Sequence, residues 1–134
     1  MQFNPDVLYT KSNEWVKNLG NFVRVGIDDY SQSSLGDIVH IELPANGTIV
    51  KFGIAFGSLE ATKSVSDINA PVSGVISKVN NEVIKNPGIV NFDPFGEGWL
   101  VEIEPSDISE LNNLMDSETY KKYILNEANS RNNS

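Results

Sequence analysis

Short runs of alternating apolar and polar residues, broken by glycine and proline, occupy most of the chain. Glu14-Trp15-Val16-Lys17 and Phe22-Val23-Arg24-Val25 flank the turn Asn18-Leu19-Gly20-Asn21, which is the pattern of a β-hairpin. Residues 37–43, DIVHIEL, alternate so that Val39, Ile41 and Leu43 share one face. Pro44-Ala45-Asn46-Gly47 marks a turn before Thr48-Ile49-Val50. Val72–Val79 and Trp99–Ile103 read as two further strands. Between residues 28 and 35, DDYSQSSL is polar, is capped by Asp28 and stops before Gly36, which predicts one short helix.

After Pro105 the period changes. Ile108, Leu111, Leu114 and Met115 recur at helical spacing behind a cap at Ser106 or Asp107. Tyr120, Tyr123 and Ile124 repeat the pattern in a second helix. Both segments are amphipathic, which predicts that they cover part of a β core. From residue 127 onward no apolar face remains, so 127–134 is predicted to be a disordered tail behind a single domain of residues 1–126.

One stretch stands out, GSLEATKSVSDINAPVSG at residues 57–74. Gly53–Glu60 and Ser64–Ile68 read as extended runs, with Ala61, Thr62 and Lys63 at the crossing. The turn lacks the Asn-Gly or Asp-Gly pair that makes two-residue hairpins easy to form, so something other than turn propensity has to fix it. A turn lysine is ordinarily a solvated side chain, and local physics alone gives Lys63 no further role.

Charge and composition narrow the chemistry. Ten basic residues against 18 acidic ones give a net charge of −8, which repels phosphate backbones and anionic bilayers. Nucleic acid and membrane are therefore not expected partners. The first fifteen residues lack a secretory or transit pattern. This predicts a cytoplasmic protein of bacterial type, and a mature mitochondrial chain reads the same way. The chain has no cysteine, which excludes disulfides, thiolate catalysis and cysteine-ligated metals. Any thiol chemistry here needs sulfur from a cofactor.

Enzyme motifs are nearly absent. The only histidine, His40, falls on the DIVHIEL strand opposite Val39 and Ile41, the ordinary setting of an exposed strand residue. One histidine without cysteine cannot build a usual zinc site, and no serine lies in a nucleophile elbow. No Walker loop or dinucleotide fingerprint is found. The many carboxylates read as a solvated face, because sequence alone does not pair them. No catalytic or metal-binding residue is expected.

Leu59-Glu60-Ala61-Thr62-Lys63-Ser64-Val65-Ser66-Asp67, followed by Ala70-Pro71-Val72-Ser73-Gly74, resembles the lipoylation hairpin of the glycine cleavage system H proteins. The likeness continues in Gly26-Ile27-Asp28-Asp29-Tyr30, Leu35-Gly36-Asp37-Ile38-Val39 and Glu42-Leu43-Pro44. Asn86-Pro87-Gly88, Asn91, Pro94-Phe95-Gly96 and Gly98-Trp99-Leu100 resemble the family's C-terminal signature. The segments run in one order from Tyr9 to Tyr123. Two departures stand out: Asn13-Glu14-Trp15 replaces the family's His-Glu-Trp, and Ala61, Thr62 and Ser64 replace its Ser, Val and Ala.

The resemblance implies a mainly β, lipoyl-domain-like barrel-sandwich hybrid, with a short helix near 28–35, C-terminal helices and the hairpin at one end. It implies lipoic acid in amide linkage on Lys63, with Glu60, Ala61, Thr62 and Ser64 read by lipoyl-attaching enzymes. The implied partners are a pyridoxal-phosphate glycine decarboxylase, a folate-dependent aminomethyltransferase and dihydrolipoyl dehydrogenase. The chain would then be a non-catalytic carrier of an aminomethyl group. By position, Glu14 and Asp67 are the candidates for a cleft that shelters the loaded arm. Two alternatives fit the same residues: an H-like lipoyl carrier in a lipoyl-relay or stress pathway, and an unmodified β-sandwich interaction module. A biotin carrier fits less well, since Thr62 and Ser64 stand where methionines flank the biotinylated lysine.

Overall fold

A computed structural model describes residues 3–132. In chain order, β1 (Leu8–Tyr9), β2 (Glu14–Asn18) and β3 (Val23–Ile27) precede α1 (Asp29–Leu35) and β4 (Ile38–Glu42). β5 (Ile49–Val50), β6 (Ala55–Ala61), β7 (Val65–Asn69) and β8 (Gly74–Val79) follow, then α2 (Asn81–Lys85) and α3 (Gly88–Phe92). β9 (Val101–Pro105), a 3₁₀ helix (Ile108–Asn113) and α4 (Ser117–Asn132) complete the chain. All named strand pairs are antiparallel.

The strands form two sheets, one of six strands in the order β1-β2-β3-β9-β8-β5 and one of three in the order β4-β6-β7. They pack as a sandwich without closing into a barrel. Val16, Val25, Val72, Ile76, Val101 and Ile103 form the core of the larger sheet. Ile27, Ile41, Leu59, Ile68, Val90 and Leu100 form a second core under the smaller one. Leu43 and Phe56 pack against both. Each fully buried branched side chain contributes roughly 1.5–3 kcal/mol by leaving water. A third, aromatic cluster joins Tyr9, Trp15 and Tyr120 and seats α4 on the N-terminal strands. Tyr9 and Tyr120 stack there with ring centroids 4.3 Å apart.

The first hairpin and the helix after Asp28 form where the sequence predicts them. Leu19 closes the hairpin by donating its N–H to Phe22 O at 2.9 Å. Asp28 caps α1 by accepting the Ser31 N–H at 2.7 Å.

Several expectations need correction. Val39 is exposed, not on the core face, because a register shift between Ile38 and His40 turns both Ile38 and Ile41 inward. The first C-terminal helix is a six-residue 3₁₀ segment that buries only Leu111. The chain then straightens, and Met115 exchanges both backbone hydrogen bonds with Tyr9. The helices α2 and α3 are not foreseen by the sequence pattern. The last helix is described through Asn132, which leaves the expected tail of 127–134 untested, and 133–134 lie outside the described residues. Its first turn has a Glu118–Lys121 pair and acidic Glu118 near the helix N-terminus, both of which favour helix.

Candidate functional site

The hairpin β6–β7 carries Lys63 at its tip. Glu60 pairs with Val65, and Ala61 closes the turn by donating its N–H to Ser64 O at 2.8 Å. Ala61 is buried, whereas Thr62, Lys63 and Ser64 are exposed. Among the described residues only Asn13 combines a side chain with positive φ, so Thr62 and Lys63 do not form a primed hairpin turn. The turn is held from outside. Thr62 donates its N–H to Asp37 O at 3.0 Å, across to the link between α1 and β4.

Gly36 completes that seat. It ends α1 with φ +85°, a conformation that penalises any β-carbon. A β-carbon there would lie 3.0 Å from Thr62 Oγ1 and 3.7 Å from Cδ and Cε of Lys63. The aliphatic stem of Lys63 thus runs beside the bare glycine backbone. Among the described residues Lys63 has no ion-pair partner within 4.0 Å. An exposed and unpaired amine is free to be acylated.

A cleft of about 510 Å³ opens at the other end of β7. Its walls include Thr10, Ser12, Phe52, Asn69, Leu114 and Met115. Glu14 lies one layer behind these residues and is only 1% exposed. Its Oε1 accepts from Thr10 Oγ1 at 2.6 Å and Ser12 Oγ at 2.5 Å, and its Oε2 accepts from the Asn69 N–H at 3.1 Å. Burial pushes the Glu14 carboxyl above its ordinary range, and these three donors pull it back. Glu14 thereby ties the β1–β2 hairpin to the base of β7. Asp67 is exposed in mid-β7 opposite Ser58 and is absent from the cleft wall. The two sequence candidates are therefore not brought together, while Thr10, Ser12 and Asn69, which sequence reading missed, surround Glu14.

A second buried carboxylate adjoins this one. Asp28 accepts a short hydrogen bond from the Tyr120 hydroxyl, and that hydroxyl accepts one from Asn13 Nδ2 at 2.6 Å. Burial pushes Asp28 up to about 6, with the charge of Glu14 adding to the rise and the Tyr120 and Ser31 bonds opposing it. Burial and the Asp28 charge raise the Tyr120 phenol, so it stays a donor. Asn13 sits at φ 77°, a left-handed position that asparagine tolerates better than most residues.

The two sheets define a fold class, a small two-layer β-sandwich that carries an exposed lysine at the tip of its β6–β7 hairpin. A family model described as glycine cleavage H-protein matches residues 7–127. A glycine cleavage system H protein of Carboxydothermus hydrogenoformans is 46% identical over 91% of this chain and 94% of its own length. The mitochondrial H protein 2 of Arabidopsis thaliana is also 46% identical, over 91% of this chain and 78% of its own. A crystal structure of the H protein from Mycobacterium marinum superposes with a TM-score of 0.82 at 35% identity, covering 90% of this chain and 97% of that one. The chain belongs to the glycine cleavage H-protein family.

Proposed function

We propose that this chain is the carrier component of a glycine cleavage system, bearing a lipoyl group in amide linkage on Lys63 Nζ. In that role it moves an aminomethyl group from a pyridoxal-phosphate glycine decarboxylase to a folate-dependent aminomethyltransferase. Dihydrolipoyl dehydrogenase is the third partner, and lipoyl-attaching enzymes read Glu60, Thr62 and Ser64 around the lysine, over the turn that the buried Ala61 closes. A cytoplasmic location is part of the proposal. The observation that carries it is the exposed, unpaired Lys63 at the tip of an externally braced turn, in a chain of this family.

The residues present suit the group. When bound, it supplies the sulfur chemistry that a chain without cysteine lacks. Everything else falls to the protein. Gly36 and Asp37 fix the root of the arm. Val65, Asp67 and Asn69 share one face of β7 and lead from the tip toward the cleft. Phe52, Ala70, Leu114 and Met115 supply the apolar part of the cleft wall. At the polar end, Ser12 and Thr10 stand before the Glu14 carboxylate, which favours a protonated amine over the neutral one that is lost more readily. Asp67 adds negative charge along the approach. No side chain of this chain makes or breaks a substrate bond in this reading.

The test is intact-mass analysis after incubation with a lipoate-attaching enzyme, lipoic acid and ATP. One lipoyl adduct is expected, mapping to Lys63 and absent from Lys63→Ala. No adduct removes the carrier reading and leaves the interaction module. An adduct that the glycine decarboxylase does not use points instead to a lipoyl-relay carrier.

A further inference from the structure

The lysine turn, closed by the Ala61–Ser64 hydrogen bond, is also braced from outside through the Asp37 carbonyl. Gly36 and Asp37 join α1 to β4 with no regular structure of their own. One side chain on α3 organises them. Asn91 Oδ1 accepts the Ile38 N–H at 2.9 Å, at the first residue of β4. Its Nδ2 donates to Gly36 O at 2.9 Å, just past the end of α1, and to Gln32 Oε1 at 3.1 Å, midway along that helix. Both donor hydrogens and one acceptor lone pair of a single amide therefore bracket the link. Between those anchors Asp37 O receives the Thr62 N–H, next to Lys63.

We infer that Asn91 is a positioning residue for modification of Lys63. It sets the height and direction of the Thr62–Lys63 turn through the Asp37 carbonyl. This inference rests on the carrier reading above. The amide is required in both its halves. An aspartate in the same place keeps an acceptor for Ile38 but turns the donor end into a second acceptor, facing the oxygens of Gly36 and Gln32. The seat then loosens on the side nearest the hairpin, while both hydrophobic cores stay as they are.

The experiment uses the full chain as acceptor for a lipoate-attaching enzyme, with lipoic acid and ATP, comparing wild type with Asn91→Asp. Losing one or two hydrogen bonds at the seat is expected to raise the KM for the acceptor about tenfold, with kcat unchanged within about twofold. Amide hydrogen exchange at Thr62 is expected to accelerate by about the same factor, while Val25 and Val101 exchange as in wild type. A merely structural role would change all three amides together or none. Wild-type KM with wild-type Thr62 exchange overturns the inference. If Asn91→Asp does not fold, Gln32→Ala, which removes only one partner of the amide, is expected to raise KM about threefold. An unchanged KM in that variant overturns the inference as well. Failure of the wild-type chain to accept a lipoyl group on Lys63 defeats the carrier reading first, and this inference falls with it.

Discussion

The Lys63 stem runs beside Gly36, where an added β-carbon would stand 3.7 Å from its Cδ and Cε and 3.0 Å from Thr62 Oγ1. Gly36→Ala therefore meets both an unfavourable φ of +85° and a crowded neighbour. The expected loss is about 1–2 kcal/mol of stability in urea unfolding. Slower acylation of Lys63 should accompany it, read by the rate at which the adduct accumulates.

Lys63→Ala removes an exposed side chain with no ion pair among the described residues. Its unfolding free energy should stay within about 0.5 kcal/mol of wild type. Carrier activity should vanish completely in a reconstituted glycine cleavage assay. Retained activity would contradict the assignment of Lys63.

Glu14 is buried and accepts from three donors. Glu14→Ala leaves Thr10, Ser12 and the Asn69 N–H without their acceptor, at an expected cost of roughly 3 kcal/mol in chemical unfolding. Glu14→Gln keeps an acceptor and should cost less. In loaded carrier, both changes should shorten the lifetime of the bound aminomethyl group. Equal lifetimes in wild type and Glu14→Ala would remove Glu14 from the sheltering role.

The buried Asp28 gives the fold a pH dependence of definite sign. Its carboxyl rises from 3.8 to about 6 on folding, so the folded state holds the proton more tightly than the unfolded one. Its contribution is fully present below pH 3.8 and is lost as pH rises through 6. The loss is on the order of 3 kcal/mol. Asp28→Asn retains a capping side chain without the titration. The difference in unfolding free energy between variant and wild type should therefore shift in favour of the variant between pH 4 and 7. Glu14, raised in the same direction, adds a trend of the same sign. A difference that does not vary with pH would refute the assignment.

The parts of this fold that were legible from sequence are those where local pattern and tertiary environment agree. The β2–β3 hairpin has alternation, a Leu19-Gly20 turn and a buried face, and Asp28 caps the helix after it. Val39 misled because the alternation of DIVHIEL continues through a bulge that only the pairing with β6 reveals. Strand β1 has two residues, and α2 and α3 have five each, too short to show a period. At the site, Lys63 was legible by resemblance, since its turn residues carry no local signal. The seat beneath it was not, because Asn91, Gly36 and Thr62 meet only when α3, α1 and β6 are folded together. Glu14 could be named by position, but its burial behind Thr10 and Ser12 depends on the Asn69 amide, 55 residues away.

The separation of the two sheets has a mechanical consequence. The strands β6 and β7 point toward Lys63 from the same side and join the rest of their sheet only through the β4–β6 ladder. A tug on the arm along the hairpin axis loads that ladder in shear, so its bonds share the force instead of peeling one after another. Load also passes to the six-stranded sheet along the backbone, from β6 back to β5 and from β7 on to β8, helped by the packing of Leu43 and Phe56 and the bond from Asn69 to Glu14. A pull on the tip is thus shared between a ladder and two backbone links instead of falling on the turn alone.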